Sequence, residues 1–408
     1  MATSFPTSLD TAGGTLRTDI SSTTDMDASG FEHDELHVNV HGAALALEAK
    51  VGTGASTPVE GAVLMGTGTG TSGWSTAPMS NRNACLNPDM KINQREGGAS
   101  GGPNAGYVLD QFQLLASGGT RNYNVGAFAM GSPAAAGYES PNHASIVMSS
   151  MSTVGGYVIF RPTIEDVRTL AGETVVISFY AKAASGTPKI SVEIDQYFGS
   201  GGSPSADTQT DFGQVTLSTS WARYSVTGTI PSVSGKTLGT TANTSTVRLN
   251  LWLSAGSNWN ARTGSLGAQN NTFDIWGMQL ERGSNATPLE VRSHAEELAR
   301  CQRHYQRYDT DASNYPLAAG AILNTTTANV VFPFVTTMRA APTMETDDAT
   351  AFDVITGGGT RATTAMSFSG ITTTHAQINL TDSGAGLTAG EGTLLRGDGG
   401  ELRLYAEL

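Results

Sequence analysis

Three segments of the sequence carry aromatic and polar side chains that could bind a sugar. In 175–182, 189–197 and 247–254 every second residue is apolar, which predicts β-strands with one face in a core. The outward side chains of these strands are Tyr180, Glu193, Asp195, Tyr197, Arg248, Asn250 and Trp252. Aromatic rings can stack on the apolar face of a pyranose while polar groups bind its hydroxyls. We interpret these residues as a candidate carbohydrate-binding surface. The alternative is burial of Tyr180 and Trp252 against a neighbouring subunit or domain.

Patterns that could indicate catalysis or a cofactor are incomplete in this sequence. The glycine spacing of 68–73 fits a dinucleotide loop, but Trp74 and Pro78 follow where a helix should begin, which favours a linker. A glycosidase needs two carboxylates about 5 to 9 Å apart, which distant strands could supply, for example Glu193 or Asp195 with Asp274. The repeats of short β-helix coils typical of polysaccharide depolymerases are not visible. We therefore expect a non-enzymatic protein that uses no cofactor.

Two segments near the N-terminus contain candidate metal ligands. Residues 25–30 match the first half of a calcium loop, but Leu36 stands where the bidentate carboxylate should be. A polar turn that caps a helix is the preferred interpretation. His33, His37 and His41 share one helix face, and in a parallel trimer their rings could stack around a metal or an anion. No carboxylate that could orient the rings is evident, so we predict no metal site.

The elements that would position these residues are mostly strands. Between residues 81 and 292, alternating or continuous apolar segments are separated by turns rich in Gly, Ser and Pro. About eight such segments predict an antiparallel two-sheet sandwich of the jelly-roll kind. Residues 317–408 return to the same composition and predict a smaller C-terminal β domain. The fold class expected is therefore mainly β.

Two helices are predicted on either side of the jelly roll. An apolar stripe near the N-terminus consists of Leu36, Val40, Leu47 and Val51 and predicts a short coiled coil that trimerises the chain. Residues 1–52 would then attach and trimerise the protein, and 53–80 would form a Gly/Thr-rich linker. Ser293 and Glu296 have capping-box spacing, which predicts a linking helix over 293–316.

Composition and charge restrict the possible partners. Only 14% of the 408 residues are charged, and the net charge is −13. Binding to nucleic acid requires clustered basic residues, so nucleic acid is not an expected partner. No apolar run is long enough to cross a bilayer, and the N-terminus lacks the apolar core of a secretory signal. The two cysteines, Cys85 and Cys301, are predicted to be separate buried thiols.

Several segments resemble structural proteins of tailed bacteriophages that carry a carbohydrate-binding-module-like jelly roll. NPDMKINQR (87–95) is similar to the opening strand of that module. IWGMQLERGSNATPLEVRS (275–293), followed by ELARCQRHYQRY, resembles the signature that closes it. The segments MRAAPTM, GLTAGEGTLLR and LYAEL resemble the C-terminal β domain of fibre-like proteins, and FPTSLDT resembles their attachment segment.

This resemblance implies a component of the virion. A homotrimeric tail fibre or receptor-binding appendage that contacts host surface polysaccharide is the leading expectation. Residues 1–52 would bind other virion proteins. A head fibre or capsid decoration protein is the second possibility, and a polysaccharide-cleaving tailspike is the third. The protein would be made in the host cytoplasm and displayed on the exterior of the particle.

Overall fold

The computed structural model describes residue 40 and the ranges 63–66, 72–75, 81–95, 106–128, 140–151, 154–310, 315–382 and 384–408. The chain divides into two compact units, Met1–Arg82 and Asn83–Leu408. Within the described ranges, no helix has the length and apolar character needed to span a membrane.

The N-terminal unit contains a two-stranded hairpin of β1 (Val63–Gly66) and β2 (Ser72–Ser75). The hairpin lies in the segment predicted to be a linker. Val40 is helical and 62% exposed, but Leu36, Leu47 and Val51 lie outside the described residues. The candidate metal ligands at 25–30 and at His33, His37 and His41 also lie outside them. Trimerisation therefore stays a prediction.

Residues 106–282 form an antiparallel sandwich of two sheets. The six-stranded sheet has the order β10-β9-β12-β7-β4-β3, and the five-stranded sheet has the order β11-β8-β13-β6-β5. The strands are β3 (Gly106–Leu109), β4 (Phe112–Ser117), β5 (Thr120–Ala127), β6 (Asn142–Ser149), β7 (Tyr157–Glu165), β8 (Thr174–Ala183), β9 (Lys189–Tyr197), β10 (Thr208–Thr216), β11 (Ala222–Thr229), β12 (Thr246–Ala255) and β13 (Thr272–Arg282). A 3₁₀ turn (Ser257–Trp259) and the short helix α1 (Asn260–Thr263) follow β12.

The predicted alternation of β8, β9 and β12 is confirmed. Ten of their apolar residues lie in the core between the sheets: Val175, Ile177, Phe179, Ile190, Val192, Ile194, Val247, Leu249, Leu251 and Leu253. Phe112 and Phe160 stack beside them with ring centroids 5.0 Å apart. Successive side chains of a strand point to opposite faces, so burial of one set turns the other set outward.

A second β region with its own core follows the sandwich. It consists of β14 (Tyr305–Asp309), β15 (Tyr315–Ile322), β16 (Thr327–Pro333), β17 (Thr343–Thr346), β18 (Phe352–Thr356), β19 (Gly359–Ala362), β20 (Ala365–Ser369), β21 (His375–Thr381), β22 (Gly392–Gly397) and β23 (Glu401–Tyr405), with a 3₁₀ turn at Ala349–Ala351. These strands form the sheets β14-β23-β17 and β19-β18-β22-β15-β16-β21-β20. Their buried apolar residues form a cluster separate from the sandwich core. The protein is therefore mainly β, as predicted.

Helix α2 (His294–Gln302) is shorter than the sequence predicted. It begins as expected, because the Ser293 hydroxyl accepts a hydrogen bond from the Glu296 amide at 3.3 Å. Tyr305 and Tyr308 were expected to continue the helix, but both lie in β14, where Tyr305 pairs with Tyr405 of β23. Strand pairing with a distant segment thus outweighs the local helical spacing.

Cys85 and Cys301 are unpaired and buried, which confirms the prediction of separate thiols. Burial raises the pKa of the Cys85 thiol to about 12, so this side chain is a neutral apolar group at ordinary pH. Both cysteines therefore contribute to packing.

Candidate functional site

Six of the seven candidate sugar-binding residues lie on one surface. Glu193, Asp195 and Tyr197 of β9 and Arg248, Asn250 and Trp252 of β12 share the face of the six-stranded sheet that points away from the core. The register brings them together, because Asn250 pairs with Glu193 and Arg248 pairs with Asp195. We call this surface the outer face of the six-stranded sheet.

Glu193 is the centre of a buried hydrogen-bond network on this outer face. Its Oε2 accepts from Asn250 Nδ2 at 2.7 Å and from Trp252 Nε1 at 3.1 Å. Arg262 binds both oxygens at 2.7 Å, through Nε and Nη2. Glu193 is fully buried and Arg262 is 28% exposed, so Arg262 covers the carboxylate and separates it from solvent through this bidentate pair. The carboxylate therefore organises the surface from below.

Trp252 does not form an exposed aromatic platform. It points outward as predicted, but it is only 1% exposed. Trp259, in the turn before α1, lies with its ring centroid 5.5 Å from that of Trp252, and Tyr157 lies 6.1 Å away on another side. The cover is a segment of the same chain rather than a neighbouring subunit. Trp259 is itself partly exposed and is the aromatic ring nearer the surface here.

The neighbouring part of the outer face is more open. The Arg248 guanidinium lies 4.0 Å from the centroid of the Tyr197 ring. It also lies 3.4 Å from Asp195 and 3.6 Å from Asp207, and its side chain is 23% exposed. Gln209 donates from Nε2 to Asp195 Oδ1 at 3.1 Å. A guanidinium, an aromatic ring and a half-exposed carboxylate are thus available at the surface.

Arg161 of β7 extends this charged cluster. Its Nε donates to Asn250 Oδ1 at 2.6 Å. Burial, and secondarily the positive charge of Arg248, lowers the pKa of Arg161 to about 10. Burial and the nearby Asp195 raise the pKa of Asp207. Burial opposes the charged form of Arg262, but its hydrogen bond and charge interaction with Glu193 raise its pKa overall.

Three guanidinium groups therefore face three carboxylates. The set consists of Arg161, Arg248, Arg262, Glu193, Asp195 and Asp207. Such a balanced surface suits a neutral ligand with many hydroxyl groups, because it offers charged donors and acceptors side by side without an excess charge. Within the described residues, no three His, Cys, Asp or Glu side chains are grouped so that they could hold a metal ion.

Tyr180 is on the other sheet and cannot join this surface. It belongs to β8, and its ring centroid lies 5.2 Å from that of Trp276, a fully buried residue of β13. The sequence placed it correctly outside the core but could not show which sheet it would occupy. Asp274 is also on β13, so the sandwich core separates it from Glu193 and Asp195. The carboxylate pair considered from the sequence is therefore not assembled.

Several members of the cluster were not predicted from the sequence. Arg161 was accessible to the same reasoning, because Val158 and Phe160 alternate with it along β7. Asp207, Trp259 and Arg262 lie outside the alternating strands, and only the folded chain brings them to the outer face. No periodic signal could have identified them.

The described residues define a mainly β protein built on an antiparallel two-sheet sandwich. Residues 166–252 match the family model described as a carbohydrate binding domain. The matched range begins after β7 and includes β8 to β11 and most of β12, which contributes Arg248, Asn250 and Trp252. The match is consistent with glycan binding. No curated protein sequence matches the chain.

Solved structures with some similarity include a tailspike and several carbohydrate-binding modules. The enzymatically active domain of tailspike protein 4 from bacteriophage CBA120 is 11% identical, with a TM-score of 0.29, over 50% of this chain and 22% of that one. The chain thus spans about a fifth of that structure. The CBM22-2 xylan-binding domain from Paenibacillus barcinonensis Xyn10C is 18% identical, with a TM-score of 0.27, over 42% of this chain and 91% of that one. A family 11 module from Clostridium thermocellum, in complex with a β-1,3-1,4-mixed-linked tetrasaccharide, is 11% identical, with a TM-score of 0.27, over 47% and 98%.

Proposed function

We propose that this protein is a non-enzymatic, glycan-binding structural component of a bacteriophage virion. The observation that carries the binding function is the open part of the outer face, where Arg248 lies over the Tyr197 ring beside Asp195 and Asp207. A hydroxyl-rich ligand can donate to the carboxylates and accept from the guanidinium. The match of residues 166–252 to a carbohydrate binding domain supports the same function.

Binding without cleavage is favoured by the state of the carboxylates. A general acid must exchange a proton with its substrate, so its carboxyl oxygens must be reachable. Glu193 is fully buried and accepts four hydrogen bonds, and Asp195 is 3% exposed beneath Arg248. These groups are suited to holding the surface in a fixed arrangement.

The place of the protein in a virion rests on the sequence resemblance. Residues 87–95 resemble the opening strand of phage proteins with this kind of jelly roll, although the structure forms no strand over 87–95, and residues 275–293 resemble their closing signature. On this basis we propose a homotrimeric tail fibre or receptor-binding appendage that contacts host polysaccharide and attaches to other virion proteins through residues 1–52. The expected location is the exterior of the particle.

The binding function is tested with two arginine variants of the full chain. Arg248→Ala removes the exposed guanidinium of the outer face, whereas Arg282→Ala removes a 50% exposed guanidinium that pairs with Glu173 on the other sheet. Binding to an array of bacterial surface polysaccharides identifies a ligand, and its Kd is then measured for each variant. We expect a loss of about tenfold or more, or at least about 1.4 kcal/mol, for Arg248→Ala alone.

Two results would contradict the proposal of glycan binding. One is an Arg248→Ala variant that binds as tightly as the unmodified protein. The other is an unmodified protein that binds no polysaccharide of the array. Release of reducing ends from a bound polysaccharide would favour a cleaving tailspike instead. Immunogold labelling of virions tests the location, because label on the capsid would favour a decoration protein over a tail appendage.

A further inference from the structure

A polar cavity of about 420 Å³ lies at one end of the sandwich, apart from the cluster on the outer face. This volume is within the range of small-molecule sites, roughly 300 to 1,000 Å³. Its walls come from the turn after β7, from Phe198 after β9, from the loop 238–245 before β12, and from two arginines that follow α2 and β16. The sandwich and the C-terminal region both contribute to it.

The loop 238–245 is held in place by hydrogen bonds to neighbouring segments of the chain. Gly239 N donates to Phe198 O at 2.8 Å, and Ser200 N donates to the Thr244 hydroxyl at 3.0 Å. Asp166 N donates to Ser245 O at 3.0 Å. Gly239 approaches the neighbouring turn so closely that a Cβ would lie 2.3 Å from Ser200 O. The cavity wall is therefore preformed, which lowers the entropic cost of binding.

The charges that line the cavity are unequal in sign. Arg168, Arg303 and Arg339 contribute three positive charges, and Glu165 and Asp166 contribute two negative charges. The lining is thus net +1 in a chain whose net charge is −13. A positive cavity in an acidic protein favours a ligand that carries a negative charge.

The three arginines are not equally engaged. Arg339 donates to Ala406 O, Glu407 O and Asn243 O, so it mainly fastens the C-terminal region to the sandwich. Arg168 forms a bidentate pair with Asp166, through Nε to Oδ1 and Nη2 to Oδ2. Arg303 is 46% exposed and approaches both oxygens of Glu165 only to 3.4 Å. Charge-assisted hydrogen bonds are typically about 2.7 to 2.9 Å long, so a ligand carboxylate could bind the Arg303 guanidinium more closely.

The remaining walls suit a sugar ring. The 40% exposed Leu238 supplies apolar surface, while Thr241 and Asn243 supply hydroxyl and amide groups. We propose that this cavity binds a carboxylated monosaccharide unit, such as a hexuronate, with its carboxylate on Arg303 and its ring beside Leu238. This acidic-sugar site is separate from the balanced surface around Arg248.

The test uses three probes and the full chain. D-glucuronate carries both ring and carboxylate, D-glucose carries the ring alone, and acetate carries the carboxylate alone. Kd values are measured by titration calorimetry for the unmodified protein, Arg303→Gln and Leu238→Asp. Arg282→Gln is the matched control, because Arg282 is 50% exposed and pairs with Glu173 in the same way as an ordinary surface arginine.

We expect D-glucuronate to bind at least about tenfold more tightly than D-glucose or acetate. Arg303→Gln should weaken D-glucuronate binding about tenfold or more, since the positive charge is lost while a polar side chain is kept. Leu238→Asp should also weaken D-glucuronate binding, because it places a negative charge at the rim of the cavity. Arg282→Gln should bind like the unmodified protein. Equal Kd values for D-glucuronate and D-glucose, unchanged binding in both cavity variants, or no D-glucuronate binding at millimolar concentration would each overturn the proposal.

Discussion

The two outer faces of the sandwich follow the same strand pattern, but one is covered by other segments of the chain and the other is partly exposed. On the five-stranded sheet, the outward side chains of β13 are covered by distant segments of the chain. Trp276 Nε1 donates to Asp89 O at 3.0 Å, and Glu290 N donates to Gln279 Oε1 at 2.8 Å. On the six-stranded sheet, Arg248 and Asp207 remain partly exposed. Alternation therefore selects the outward residues, whereas the segments that fold over them decide which of these residues can contact a ligand.

The closing signature of the sequence, residues 275–293, includes segments that cover the five-stranded sheet. Glu281 accepts from the Thr287 amide at 2.8 Å and from its hydroxyl at 2.6 Å. Arg292 donates to the backbone oxygens of Asn83 and Cys85 and lies 3.2 Å from Glu297. The signature residues thus fasten the first residues of the unit to its last sandwich strand. Their role here is structural.

The strongest test of this contrast is a pair of neighbouring glutamates on α2. Glu297 is fully buried, pairs with Arg292 and accepts from the Asn87 amide at 2.6 Å. Glu297→Ala would remove the nearer carboxylate from the buried Arg292 guanidinium and the acceptor from the Asn87 backbone amide. We expect the free energy of unfolding to fall by about 3 to 5 kcal/mol, measured by urea denaturation.

Glu296→Ala is the matched control for that substitution. Glu296 is 45% exposed, and its pair with Arg300 spans one helical turn. Such exposed pairs contribute about 0.3 to 0.5 kcal/mol. A similar decrease in the free energy of unfolding for the two variants would show that the contacts of Glu297 do not stabilise the covered face.

On the six-stranded sheet, we expect Glu193→Ala to lower the free energy of unfolding by a smaller amount than Glu297→Ala does. Asn250 and Trp252 would lose an acceptor for buried donors, but Arg262 is partly exposed and can turn to water. The expected cost is about 2 to 3 kcal/mol. Asp207→Ala, at a side chain that is 34% exposed, should cost less than about 1 kcal/mol. Glu193→Ala with a cost as small as that of Asp207→Ala would mean that the network does not stabilise the outer face.

The smallest expected effect is a pH dependence of the free energy of unfolding, caused by a histidine on the five-stranded sheet. Burial lowers the pKa of His143 below 6.5, against the opposing charge of Asp274. The ring lies among aromatic side chains, with its centroid 4.9 Å from that of Phe128 and 5.3 Å from that of Trp221. Because the folded-state pKa is depressed, the stabilising contribution is present above pH 6.5 and is lost as the pH falls toward the folded-state value.

The variant His143→Gln should therefore lose less stability on acidification than the unmodified protein does. Urea denaturation at about pH 7.5 and about pH 5 measures the difference for both proteins. Parallel pH profiles for the two proteins would show that His143 does not contribute.

Much of the fold could be predicted from local patterns, and the errors have identifiable causes. The core residues of β8, β9 and β12 and the start of α2 at Ser293 followed from spacing and capping. The end of α2 did not, because β14 forms by pairing with β23, almost a hundred residues later along the chain. The outward direction of Trp252 followed from alternation, but its cover did not, since that cover comes from the turn that contains Trp259.

The sequence alone determined which side of each strand is apolar, because a period of two residues is a property of the strand backbone. It therefore identified Glu193, Asp195, Arg248 and Asn250 as outward-facing residues, whereas the pairing of β9 with β12 made them neighbours. Only the tertiary structure decided that Tyr180 belongs to the opposite sheet and that Arg262 covers Glu193. Such contacts join residues far apart in the chain, as in the hydrogen bond between Trp276 and Asp89, which are 187 positions apart. Local periodicity contains no information about which distant segment will close over a face, and packing of the whole chain supplies it.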